Sequence, residues 1–203
     1  MTRILLAIPA LDQMPTESVA SLLSLFSHYS YDATLKRPRQ ISYNIHRGSN
    51  YPHARRALVT HARDIRATHV FFVDSDMVLP KDALTRLLSH KVDFVCASYI
   101  RRYGDWRILG APDEQAAPHH TLTPMRFVPL GCALIAISVF DRVPPPWFTF
   151  QMETEAQNDR SEDVHFCDKV RAAGVPIYLD PKLTREVGHV GVQVLRYGDT
   201  PPK

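Results

Sequence analysis

Short apolar runs alternate with amphipathic stretches along the chain. Arg3 to Ile8 reads as a buried strand ending at Pro9, and Thr16-Glu17-Ser18 opens an amphipathic helix through about Ser27. From Gln40 to His46, Ile41, Tyr43 and Ile45 alternate with polar residues, predicting a second strand that Arg47-Gly48-Ser49-Asn50 breaks. Between His53 and Ala67, Ala54, Ala57, Leu58, Ala62 and Ile65 recur at helical spacing, with Arg55, Arg56, Arg63 and Arg66 between them. Val70-Phe71-Phe72-Val73 follows as a continuous apolar strand.

Pro80 suits the first turn of a helix carrying Leu84, Leu87 and Leu88. Phe94 to Ala97 and Leu130 to Ile137 read as further strands, separated by a polar stretch with several prolines and histidines. Ser161 to Ala173 predicts a helix stopped by Gly174, and Pro176 to Leu179 a short strand. Strands alternating with helices predict an α/β fold with a mostly parallel central sheet and helices on both faces. Ligands of such sheets bind outside the carboxyl ends of the strands, which is where chemistry is to be sought. No internal repeat or interdomain linker is evident, so residues 1–203 read as a single domain, with 103–124 as a long active-site loop or lid.

Composition narrows the function classes. A length of 203 residues with 45% hydrophobic positions can fill one core. A formal charge of +3, without long like-charge runs, gives no argument for nucleic acid as a partner. No run reaches the roughly 18 to 20 apolar residues of a membrane span. The N-terminus lacks a convincing secretory signal, and the three cysteines, Cys96, Cys132 and Cys167, sit in apolar runs without a CxxC pair. A cytoplasmic location, which includes peripheral attachment at the inner membrane face, is the corresponding expectation. The 8 glycines are mostly scattered, with neither GxGxxG nor GxxxxGK[ST], so a phosphorylated ligand needs something other than a Gly-rich cradle.

Three groups can carry chemistry. Asp74-Ser75-Asp76 follows the Val70 to Val73 strand directly; two carboxylates there can hold a hard cation that in turn binds a diphosphate, and they can equally form a solvated turn. Ser161-Glu162-Asp163 opens a helix, where acids complement the helix dipole; one of them can instead take a proton from an incoming hydroxyl. His189, between Gly188 and Gly191, can be structural or can serve as a neutral imidazole ligand for an ion such as Mn²⁺. Trp106 in the loop can stack on a ligand or anchor the loop. Arg55 and Arg56 can reach a phosphate or line a solvated helix face, and Arg101, with Tyr99, stands just beyond a strand's carboxyl end.

Taken in order, Ile8-Pro9-Ala10, Ala54-Arg55-Arg56, Val70 to Met77, Pro129 to Ile135, Pro146-Trp147-Phe148, Ser161 to Cys167 and Gly188 to Gly191 resemble a family 2-type glycosyltransferase of GT-A fold over nearly the whole chain. The resemblance implies a Rossmann-like GT-A domain that moves a sugar from a nucleotide-diphosphate donor to a hydroxyl acceptor, a glycan, lipid-linked sugar or protein, with inversion. It implies that Pro9, Ala10 and Leu11 contact the base, and that Arg55, Asp74, Ser75 and Gly131 face the donor. Asp76 and His189, with Asp74 near the ribose or metal, would hold Mn²⁺ or Mg²⁺. Asp163 would be the catalytic base, Glu162 would orient the acceptor, and Trp106 and Arg101 would belong to the acceptor side or lid. The triplet Ala54-Arg55-Arg56 departs from the Ala-Arg-Asn common in that family. Two alternatives remain at this point: a non-catalytic nucleotide-sugar-binding protein, and a nucleotidyltransferase of related fold. The second expects a Gly- and Lys-rich loop after the first strand, which Pro9 to Pro15 does not provide.

Overall fold

The computed structural model describes residues 2–31, 40–101, 107–150, 161–191, 194–196 and 198. In chain order the elements are β1 (Arg3–Ala10), α1 (Thr16–Ser30), β2 (Gln40–Arg47), α2 (Tyr51–Asp64), β3 (His69–Val73), β4 (Met77–Val78), α3 (Ala83–Ser89) and β5 (Phe94–Cys96). They continue with β6 (Ala111–Pro112), β7 (Thr123–Phe127), β8 (Cys132–Ala136), α4 (Ile137–Arg142), α5 (Glu162–Ala172), β9 (Tyr178–Leu179), α6 (Pro181–Thr184), β10 (Gly188–Val190) and β11 (Val194–Leu195).

Eight strands form one sheet in the order β2-β1-β3-β8-β5-β9-β7-β6. The expectation of a mostly parallel sheet is corrected here. Three neighbouring pairs are parallel, β1 with β2, β1 with β3 and β5 with β9. The other four, β3 with β8, β5 with β8, β7 with β9 and β6 with β7, are antiparallel, so the fold is a mixed α/β sheet. Two strands run against the others: β7, between β9 and β6, and β8, which enters in mid-sheet between β3 and β5. The all-buried sequence CALIA of β8 marks a strand covered on both faces, which is equally compatible with either direction.

Helices cover both faces, as expected. Along β1, Ile4, Leu6 and Ile8 pack with Leu22, Leu25 and Tyr29 of α1 and Leu84 and Leu87 of α3, while Leu5 and Ala7 point the other way. That second face carries α2, α4 and α5, and its core is aromatic: Phe72, Phe94, Phe140, Trp147, Phe148 and Phe166. Phe166 stacks on Phe140 at 5.3 Å between ring centroids and lies 4.6 Å from Phe148, so α5 is seated by its rings. Asn50 caps α2 by accepting from the His53 N–H, and Ser161 caps α5 by accepting from the Val164 N–H, which fixes where Glu162 and Asp163 project.

Part of the expected loop is strand. Within 107–124, Arg107 to Leu109 runs back along Tyr99 to Arg101, with the Leu109 N–H donating to the Tyr99 carbonyl, and β6 pairs with β7. Residues 103–106, including Trp106, lie outside the described residues. Among the described residues, no helix is long and apolar enough to cross a membrane.

Candidate functional site

β3 ends at Val73 and delivers Asp74 to the carboxyl edge of the sheet, where the Asp74 N–H donates to the Gly131 carbonyl at the entry to β8. From the second helical layer, α2 sends Arg55 into the same place. Arg55 is 1% exposed, and its Nη2 donates to Asp74 Oδ1 at 3.0 Å. Its Nε lies 3.5 Å from Glu162 Oε1 and 3.6 Å from Asp163 Oδ1, both on the first turn of α5. One guanidinium therefore joins the acidic end of β3 to the acidic start of α5, while its central carbon lies over the Phe72 ring, 5.3 Å from the centroid.

Tyr99 extends the cluster on the far side. Its hydroxyl donates to Asp74 Oδ2 at 3.3 Å, and its ring meets that of His189 edge-on with centroids 4.8 Å apart. His189 arrives by a different route. β10 pairs antiparallel with β4, which places His189 opposite Met77, and the Val190 N–H donates to the Asp76 carbonyl. His189 Nε2 then lies 3.5 Å from Asp76 Oδ2. The Ile100 carbonyl, which can only accept, takes the Nδ1–H of His189 at 2.9 Å. In the neutral imidazole this turns the Nε2 lone pair toward a carboxylate oxygen, an arrangement a shared cation or proton reconciles.

Charge in the cluster is unequal: Asp74, Glu162 and Asp163 surround a single guanidinium. Burial works against the charge of Arg55, but the three carboxylates outweigh it and raise its pKa above the ordinary value. Burial, followed by Arg55 acting in the opposite sense and by Glu162 and Asp74, leaves Asp163 pushed up to about 7. Its Oδ2 accepts from the Leu130 N–H at 3.2 Å, and its Oδ1 is buried without a hydrogen-bond partner. Burial, reinforced by Asp74, also raises the Tyr99 phenol well above its ordinary pKa and keeps it a donor. Gly131 has a steric reason to be glycine: a Cβ there would stand 2.5 Å from Tyr99 Oη and 2.8 Å from Asp74 Oδ2.

Of the residues picked from sequence, Arg55, Asp74, Asp76, Gly131, Glu162, Asp163 and His189 thus meet in one chain of contacts. Ser75 is buried between the two aspartates. Pro9 and Ala10 end β1, which runs parallel beside β3, whereas Leu11 is exposed beyond that end and Arg101 is exposed beyond Ile100. Two roles escaped the sequence reading. Arg55 turns inward as the hub, and the signal was present: Arg55, Leu58, Val59 and Ala62 share the buried stripe of α2. Tyr99 bridges Asp74 and His189, which a lone tyrosine past a strand cannot announce. Among the described residues, no group of three or more His, Cys, Asp or Glu side chains is arranged to hold a metal ion. A separate cavity of about 380 Å³, lined by Asp113, Arg171 and Tyr178, lies at the other end of α5 and shares no residue with the cluster.

Fold and site together define a mixed α/β protein with a carboxylate, arginine and imidazole cluster at the carboxyl edge of its central strands. No protein-family model and no curated protein matches the chain. A solved structure, A197 from STIV, matches with a TM-score of 0.63 and 14% sequence identity, covering 100% of this chain and 97% of that one. At that identity the likeness shows the fold alone, and a fold does not choose a chemistry.

Proposed function

We propose that the chain is a glycosyltransferase, moving a sugar from a nucleotide-diphosphate donor to a hydroxyl acceptor, with Asp163 as base and Asp76 with His189 as the protein ligands of a divalent cation. The observation that carries this reading is the convergence, at one strand edge, of a carboxylate poised near neutral pH and an imidazole–carboxylate pair, His189 Nε2 standing 3.5 Å from Asp76 Oδ2. The donor set fits a hard or borderline cation that takes its remaining ligands from phosphate oxygens and water, which is how Mg²⁺-type ions usually bind. When bound, such a cation neutralises charge on a departing diphosphate.

The chain's own residues supply the rest. Asp163 accepts the proton of the attacking hydroxyl as the acceptor oxygen bonds to the anomeric carbon and the bond to the diphosphate breaks, its electron pair leaving with the diphosphate. General-base assistance of this kind contributes about 10² to 10⁴ fold. The Leu130 N–H holds Asp163 Oδ2 in place, and Arg55 keeps the negative charge of the cluster tolerable. Gly131, lacking a Cβ, lets Asp74 and Tyr99 close up against the backbone at the entry to β8.

Thermal-shift measurements with nucleoside diphosphates and nucleotide sugars, with and without Mn²⁺, test the reading. A shift that requires both nucleotide and metal, and that disappears in Asp76→Ala and His189→Ala, supports it. Equal shifts with and without metal would remove the cation from the proposal.

A further inference from the structure

The two edges of the central sheet are built differently. At one edge, β6 is two residues long, contains Pro112 and pairs with β7 through a register irregularity, the kind of blunting that stops a sheet from recruiting another strand. At the other edge, β2 runs eight residues in unbroken register with β1, from Arg3 opposite Gln40 to Ala10 opposite Arg47. It has no lysine, proline or bulge, and among the described residues no strand pairs with its outer side.

The side chains of β2 deepen the contrast. Ile41, Tyr43 and Ile45 lie beside Ile4, Leu6 and Ile8, so they point to the face covered by α1. Yet α1 covers them only in part: Ile41 is half-buried against its core, whereas Tyr43 is 63% and Ile45 48% exposed. Phe26 meets Tyr43 edge-on at 5.9 Å, and Val19 and Leu23, the latter 67% exposed, continue the apolar stripe along α1. An open strand edge and an uncovered apolar strip therefore coincide.

We infer that this edge pairs with a second copy of the chain, β2 against β2 in antiparallel sense about a two-fold axis at Tyr43. The strand is self-complementary in that register and its polarity reads alike from either end. Opposite residues in an antiparallel pair share a face. Tyr43 meets Tyr43 of the partner subunit, Ile41 meets Ile45, Ser42 meets Asn44 and Gln40 meets His46. Apolar residues face apolar ones, polar face polar, and no like charges oppose. Arg47, ion-paired with Asp12 of its own chain, falls outside the paired span. The two α1 helices then flank the seam on one face, and Val19, Leu23 and Phe26 of both copies close over the Tyr43 pair.

Sedimentation velocity on the full chain tests this directly. Wild type should be dimeric, and Tyr43→Lys should weaken the dimer by at least about a hundredfold with its circular dichroism unchanged, because it sets two ammonium groups opposite each other. Leu23→Lys on the surface of α1 should weaken it too and does not depend on β2 tolerating a substitution. Mild oxidation of Tyr43→Cys should give a disulfide-linked dimer, since the two positions face each other and the native thiols are buried. Ile45→Cys should not cross-link, because its two copies stand about 13 Å apart along the strands. A wild type that stays monomeric at about 100 µM overturns the inference, whatever else binds the edge. So does a dimer indifferent to both lysine substitutions, or one in which Ile45→Cys cross-links as readily as Tyr43→Cys.

Discussion

Asp163 is the residue on which the chemistry turns, and its environment makes two separable predictions. Its folded pKa of about 7 lies above the ordinary carboxylate value, so the folded state holds this proton more tightly than the unfolded state. Stability from this group is complete below the unfolded value and is lost as pH rises toward 7. Asp163→Asn, which removes that penalty, should raise the melting temperature at pH 8 and change it little at pH 4. In wild type, turnover limited by the base should climb as pH passes through about 7, and Asp163→Asn should abolish it while sparing nucleotide binding. Arg55 behaves oppositely. Replacing it by Met leaves Asp74, Glu162 and Asp163 facing one another without a cation, and breaking such a buried arrangement costs about 3 to 5 kcal/mol. Urea unfolding at pH 7 should show that loss, with a smaller one for Arg55→Lys, which restores the charge but not the planar fork.

At the scale of elements, the site is held by three different junctions: the end of β3 with the entry to β8, the capped start of α5, and the β4–β10 pair. Gly131 sits in the first. Gly131→Ala should displace Tyr99 Oη or Asp74 Oδ2, costing about 1 to 3 kcal/mol by overpacking and weakening donor binding more than a remote Gly→Ala does. Isothermal titration beside chemical unfolding distinguishes the two effects. Strand positions were legible because continuous runs such as VFFV and CALIA announce burial on both faces. Strand direction was not, since burial carries no polarity, and β8 is where that matters. Only the first residue of α4, Ile137, reads from sequence as the tail of β8, because it continues the apolar run without a break. β7 carries no strand signal and overlaps the expected loop only at Thr123 and Pro124, because TPMRF has a proline and one fully buried position. The acidic pairs were found through their places at a strand end and a helix start. The inward turn of Arg55 is harder to see, because α2 alternates apolar positions with several arginines and only the phase of its buried stripe separates Arg55 from the others.

For the whole molecule, the sheet separates two cores, and the three cysteines sample both. Cys132 lies in the core under α1 and α3, whereas Cys96 and Cys167 lie in the aromatic core under α2, α4 and α5. All three are free and fully buried, and burial raises their thiols, Cys132 to about 12. Native thiols should therefore resist a thiol reagent at pH 8, since both access and thiolate are lacking. Reaction then requires opening, and its rate reports the opening free energy of the surrounding core. Both layers share β1, β3, β5 and β8, whose alternate side chains feed one core and then the other, so neither layer can come away without exposing the reverse face of the same strands. A single cooperative unit follows from that shared sheet. Mass-spectrometric labelling of Cys96, Cys132 and Cys167 in sub-denaturing urea should give one common opening free energy for all three. A lower value for Cys132 alone would show that the α1 and α3 layer opens by itself, and the chain would then be two cooperative units built on one sheet.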